Sequence, residues 1–180
     1  MLVWLFACGL DDGYGNMNLT LGGEEAPAVT SGVWYQRAET TAVVVVADFP
    51  DVCGTLSAYY EALDAAIAAE DDAAVTEASG LLPDTSWITT LAWSSAEDSF
   101  EGHYDMDTES GGTACRRSEG EVYPDSGDCV DILGGTLAVD RFDDPENTFT
   151  DGDVHAETSE GSSVYLTFHV PACPELDGRP

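Results

Sequence analysis

Two short stretches place imidazoles among carboxylates. In EGHYDMDTE (101–109), strand alternation puts Glu101, His103, Asp105, Asp107 and Glu109 on one face. Phe100, Tyr104 and Met106 take the other. In DGDVHAE (151–157), Asp151, Asp153, His155 and Glu157 share a face in the same way. If the two strands are neighbours, His103, Asp105, Asp153 and His155 can surround a divalent cation. Carboxylates suit calcium, and histidine shifts the preference towards zinc or another transition metal. The same pattern is expected with no ion at all. In a chain with 35 acidic residues, the solvent face of any amphipathic strand is rich in carboxylate. A divalent-cation-binding protein and a hydrolase using carboxylates or a metal-bound water therefore stand as alternatives, with calcium or zinc the only cofactors these residues suggest.

Other chemistry finds less support. DMDTESGG (105–112) has the alternating oxygens of a calcium loop, but Gly111 comes one place late and position twelve holds no glutamate. His169, on the outer phase of the last strand beside Tyr165 and Thr167, is expected as a surface histidine. There is no GxSxG elbow, no phosphate-binding loop and no GxGxxG, and no catalytic residue is assigned. Trp34, Tyr35, Trp87 and Trp93 can line a groove, but aromatics at strand positions are expected in the core.

The five cysteines carry the firmest signal: Cys8, Cys53, Cys115, Cys129 and Cys173. An odd count in an exported chain leaves one thiol to explain. The start, MLVWLFACGLDDG, is seven mostly apolar residues, then Cys8. The segment LFAC (5–8) resembles the lipobox of bacterial lipoproteins, with Leu5 at −3, Ala7 at −1 and Cys8 as the acylated residue; Phe6 departs from the small residue usual at −2. The basic segment that precedes such an apolar run is missing, which fits a start further upstream. With Cys8 acylated, four cysteines remain for two bridges in an oxidising compartment. Three pairings are possible. Proximity favours Cys115–Cys129 across a polar loop, which leaves Cys53 to meet Cys173.

Composition narrows the partners. Five arginines and no lysine stand against the 35 acids, for a formal net charge of −30. Such a surface repels phosphate backbones, so no nucleic-acid partner is expected, and self-repulsion favours a monomer. Eight apolar residues cannot span a bilayer, which takes about 20. The partner expected is a lipid bilayer reached through acyl chains.

The elements that position these residues follow from patterning. Residues 1–7 are expected as a signal remnant, and 8–31 as the lipidated cysteine and a flexible acidic tether. Residues 32–175 form one domain and 176–180 a tail. GVWYQRA (32–38) and TTAVVVVADF (40–49) predict paired strands, the continuous Val43–Val46 run marking burial on both faces. Residues 48–70 predict a helix capped by Asp48, with Cys53, Leu56, Tyr60, Leu63 and Ile67 as its apolar stripe. The helix is expected to pause at 70–72 and resume to Ser79. Further strands are expected at 86–94, 99–107, 135–142, 147–157 and 163–170, with turns at 143–147 and 159–163. The fold class is mainly β (α+β): an antiparallel β-sandwich or partly closed barrel with one packed helix.

VVVVADFPDVCGTLSAYY, GGTLAVDRFDD and a last strand ending FHVPAC together resemble a group of small bacterial lipoproteins of unassigned function. That group shares a lipobox, a strand running into D-[FY]-P-x-x-C and a GTLxVxxFDD hairpin closing on a cysteine. The resemblance covers about 140 residues, with 70–80 as an insertion. It implies a location in the bacterial envelope and a β-rich disulfide-bonded fold; within the envelope, the outer membrane is the expected location. It supplies no catalytic residue. A membrane-anchored lipoprotein with a binding or structural role is the function expected.

Overall fold

Val43–Val46 explain the architecture. In a computed structural model, which describes residues 14–21, 23–95, 99–118, 129–142 and 149–179, every residue from Ala42 to Ala47 is buried. Ala42, Val44 and Val46 enter one core cluster, and Val43, Val45 and Ala47 a second on the opposite face. A strand between two apolar layers has no solvent face, so its sequence does not alternate.

That strand, β5 (Thr41–Ala47), lies in a curled antiparallel sheet. The strands in chain order are β1 (Tyr14–Asn18), β2 (Thr20–Leu21), β3 (Glu24–Glu25), β4 (Ser31–Ala38), β5, β6 (Ser86–Ser94), β7 (Gly102–Asp105), β8 (Ser110–Arg117), β9 (Cys129–Arg141), β10 (Phe149–Thr158) and β11 (Ser163–Pro171). Their spatial order is β1-β11-β10-β9-β8-β6-β5-β4, with β2 and β3 a separate ribbon. β7 and β8 share one edge of β9: Gly102–Asp105 faces Val139–Thr136, and Gly112–Cys115 faces Ile132–Cys129. They form one strand line broken by the turn at 106–109. The sheet curls until β4 meets the end of β11, where Trp34 bridges Ala172 and Cys173 N–H donates to the Trp34 carbonyl at 2.8 Å. The result is the partly closed barrel rather than the sandwich.

The interior holds Trp34, Leu91, Trp93, Ile132, Leu137, Val154, Leu166 and Phe168. The outer layer is α1 (Val52–Ala68), which packs Val52, Leu56 and Tyr59 on Val33, Tyr35, Val45 and Ile88. Then comes α2 (Asp72–Ser79). The expected pause falls where Glu70 takes a left-handed φ of 53° and Asp71 caps α2.

Several expectations need correction. Asp48 does not cap α1, because its carboxylate accepts from Trp87 N–H at 2.9 Å and is tied to the sheet. Asp51 caps instead, accepting from Gly54 N–H at 3.1 Å. Of the expected helical stripe, Leu56 is buried and Cys53, Tyr60 and Leu63 pack at the edge of the same core, whereas Ile67 is 60% exposed. Val52, Tyr59 and Ala66, each one residue earlier, are the more deeply buried positions. Cys53 sits at the margin, held there by its bridge to Cys173. The tether expected to run to residue 31 gives way to structure at Tyr14. β1 pairs with β11, and Leu19 lies in the barrel core. The tail is docked as well: Leu176 is buried, and Gly178 N–H donates to the Gln36 carbonyl at 2.9 Å. Cys8 and the turn expected at 143–147 lie outside the described residues.

Candidate functional surfaces

The acidic strands present one outward surface across β7, β9, β10 and β11. Register places His103, Ala138, Asp153, Thr167 and Asn16 in one row, and Asp105, Thr136, His155, Tyr165 and Asn18 in the next. The expected metal residues thus share a face, but β9 separates them into two pairs. At about 4.8 Å per strand, the backbones of the pairs stand roughly 10 Å apart. Within one pair, His155 Nε2 lies 3.5 Å from Asp153 Oδ2, and the His155 ring meets Tyr165 edge-on with centroids 4.6 Å apart. Among the described residues, one group of three potential ligands converges on a point, Cys53, Cys173 and Glu175. Its two sulfurs are spent in a disulfide. The structure therefore does not bring His103, Asp105, Asp153 and His155 together as one ligand set.

The turn at 105–109 uses its carboxylates locally. Asp105 Oδ1 accepts from Asp107 N–H, Glu109 Oε2 from Asp105 N–H, and Asp107 Oδ1 from Gly134 N–H, at 2.8–3.2 Å. These bonds shape the strand break opposite Gly134 and Gly135 instead of framing an ion. His169 pairs through Nδ1 with Asp151, stacks on Phe149 at 4.4 Å, and has Arg141 3.7 Å from the other Asp151 oxygen. This short polar row borders the same surface.

The aromatics are core, as expected at strand positions. Trp34, Trp87 and Trp93 enter the barrel, and Tyr35 lies under α1. Phe142 packs at a tilt against Trp34 and Phe100 with centroids 4.5 and 4.7 Å away. Trp93 Nε1–H and Tyr104 O–H both donate to the Phe100 carbonyl, at 3.2 and 2.8 Å. That cluster packs the barrel.

Two concavities on the outer face had no signal in the sequence. One lies between α1 and α2, about 440 Å³, lined by alanines with Leu81 and a single charged side chain, Glu77. The other, about 240 Å³, is walled by Arg37, Thr90, Ala92, Gly111, Gly112 and Thr113. Register builds its floor: Tyr35, Val43, Ala92 and Gly111 form one row, and Val33, Val45, Thr90 and Thr113 the next. Small residues at the β6–β8 end of both rows leave a hollow on the outer face of the sheet. Its six lining residues come from three separate segments, so no local motif marks it. Burial raises the pKa of Tyr35 against the opposing pull of Arg37, so the phenol stays protonated.

The four described cysteines form Cys53–Cys173 and Cys115–Cys129, the pairing that proximity favoured. Cys115 and Cys129 are direct register partners on β8 and β9. No family model, curated protein or solved structure matches this chain.

Proposed function

We propose that this chain is an exported, envelope-anchored binding domain, with Cys8 carrying the acyl anchor and the outer surface of the barrel carrying the binding role. The pairing of the other four cysteines in two bridges is the observation that carries this reading. Disulfides form and persist in oxidising compartments. The pairing accounts for every cysteine except Cys8, the one in the lipobox-like LFAC. Two further features support it. The barrel interior is filled by side chains, which moves recognition to the outside. The net charge of −30 opposes electrostatic attachment to anionic lipid, so a covalent acyl anchor suits the surface better. Among the described residues no helix is long and apolar enough to cross a membrane.

Metabolic labelling with an alkyne fatty acid in a bacterial host tests the anchor, using the chain both as it stands and with an upstream start restored. The reading expects label on the wild type, none on Cys8→Ala, and wild-type protein in the membrane fraction. Unlabelled, soluble cytosolic protein from both starts contradicts it.

A further inference from the structure

We propose that the cleft between Arg37 and the Thr90–Thr113 pair is a binding site for a small, singly charged oxyanion, of which a carboxylate is the prototype. The site gives the binding reading above a ligand class. It does not depend on the anchor, so labelling and ligand titration fail separately.

Charge pairing singles out Arg37. Arg116 faces Glu24, Arg141 faces Asp151 and Arg179 faces Asp64. Arg117 is enclosed by the carbonyls of Ser79, Leu82 and Pro83. Arg37 has no carboxylate within ion-pair distance among the described residues, although acids outnumber bases 35 to 5. Its Nε is buried and donates to nothing among them. One arm of its guanidinium donates to the Tyr35 phenol oxygen, a neutral partner that leaves the charge uncompensated. A buried guanidinium N–H without an acceptor is costly, and the acceptor that fits its planar fork is an oxyanion with two coplanar oxygens.

The backbone aims Arg37 at the hollow. Gln36 pairs with Ala42 and Ala38 with Thr41, leaving Arg37 as the extra residue of an irregularity at the end of β4. Such bulges re-aim a side chain. Across the cleft, Thr90 and Thr113 are register partners that both line the hollow, and each carries a hydroxyl able to donate. Gly111 keeps the wall open: a Cβ added there meets nothing within 4 Å. The hollow, about 240 Å³ and open to solvent on one side, has room for a carboxylate with a few carbons or an inorganic oxyanion. The net charge of −30 disfavours multiply charged ligands, and Asp131, one strand beyond Thr113 on β9, adds to that bias.

The test uses the full chain with isotope-labelled arginine, whose five side-chain Nε–H resonances are resolved by NMR and assigned with Arg37→Gln. Sodium acetate is titrated against sodium chloride at matched ionic strength, with sodium phosphate as a second arm. A saturable shift of the Arg37 Nε–H with a millimolar Kd is expected. Gly111→Leu, which fills the hollow, is expected to abolish saturation with the melting temperature retained. Thr113→Val removes one donor at constant shape, and should weaken binding about threefold to tenfold. Saturation by acetate alone identifies a carboxylate site, and saturation by both anions a general oxyanion site. An Arg37 resonance unmoved by either anion, or saturation unchanged in both Gly111→Leu and Thr113→Val, overturns the proposal.

Discussion

Arg117 shows what one side chain can hold together. It is 4% exposed and donates to the carbonyls of Ser79, Leu82 and Pro83. Those carbonyls end α2 and begin the loop back to β6, where a cation also meets the negative end of the helix dipole. Arg117→Met keeps the aliphatic stem and strands three acceptors. It should cost about 3 kcal/mol, read as a lower urea midpoint at unchanged slope. Gly135 is a second such position. It adopts a φ of 109°, and a Cβ there would collide with the His155 carbonyl oxygen. Gly135→Ala should cost about 2 kcal/mol or more in the same assay, whereas Gly111→Ala should be near neutral. None of these roles was legible in the sequence. Arg117 sits in CRRSEG as one of two adjacent arginines, and nothing local says which faces carbonyls and which faces Glu24.

At the scale of elements, legibility followed the range of the forces involved. The Val43–Val46 run announced a strand buried on both faces, because a continuous β-branched stretch has no other soluble home. The helix and most of its apolar stripe were visible, but its deepest positions include Val52, Tyr59 and Ala66, one residue before the expected Cys53, Tyr60 and Ile67. Val52 is anchored through its N–H to the Ser31 hydroxyl at 3.3 Å, and Cys53 is drawn to the edge by Cys173. Both causes are contacts between distant segments. β1 and β8 went unseen for a related reason. YGNMN and SGGTACRR are poor strand formers, held extended by their partners β11, β6 and β9. Strand alternation placed the candidate metal residues on one outward face, and register then set β9 between the two pairs. The bridges also act at this scale. Cys53–Cys173 closes a separation of 120 residues and Cys115–Cys129 one of 14. By loop entropy, replacing the first pair with serines should cost about 5 kcal/mol and the second about 3 kcal/mol. Chemical denaturation of the two double variants checks that order.

For the whole molecule, the governing quantity is charge. A net charge of −30 on 180 residues makes the folded state repel itself more strongly than the expanded chain does. Raising monovalent salt from about 0.02 M to about 1 M shortens the Debye length below the spacing of surface carboxylates. The melting temperature should rise by about 5 °C or more. Calcium at matched ionic strength should add little beyond that if the acidic face is diffuse, and a saturable extra gain would revive a specific cation site at His103, Asp105, Asp153 and His155. The partly closed barrel, its helix cover and the pairing of its cysteines were legible as a class of structure. The two outer concavities were not, because they arise from register among strands far apart in the chain.

The central claim joins export, acylation and cysteine pairing, and one measurement reads all three. Intact mass is determined on the protein from the membrane fraction, alkylated without prior reduction. The account predicts a chain beginning at Cys8, heavier by its acyl groups, with four cysteines oxidised and no thiol alkylated. A soluble chain that retains the residues before Cys8 and takes up alkylating reagent at five thiols would contradict it.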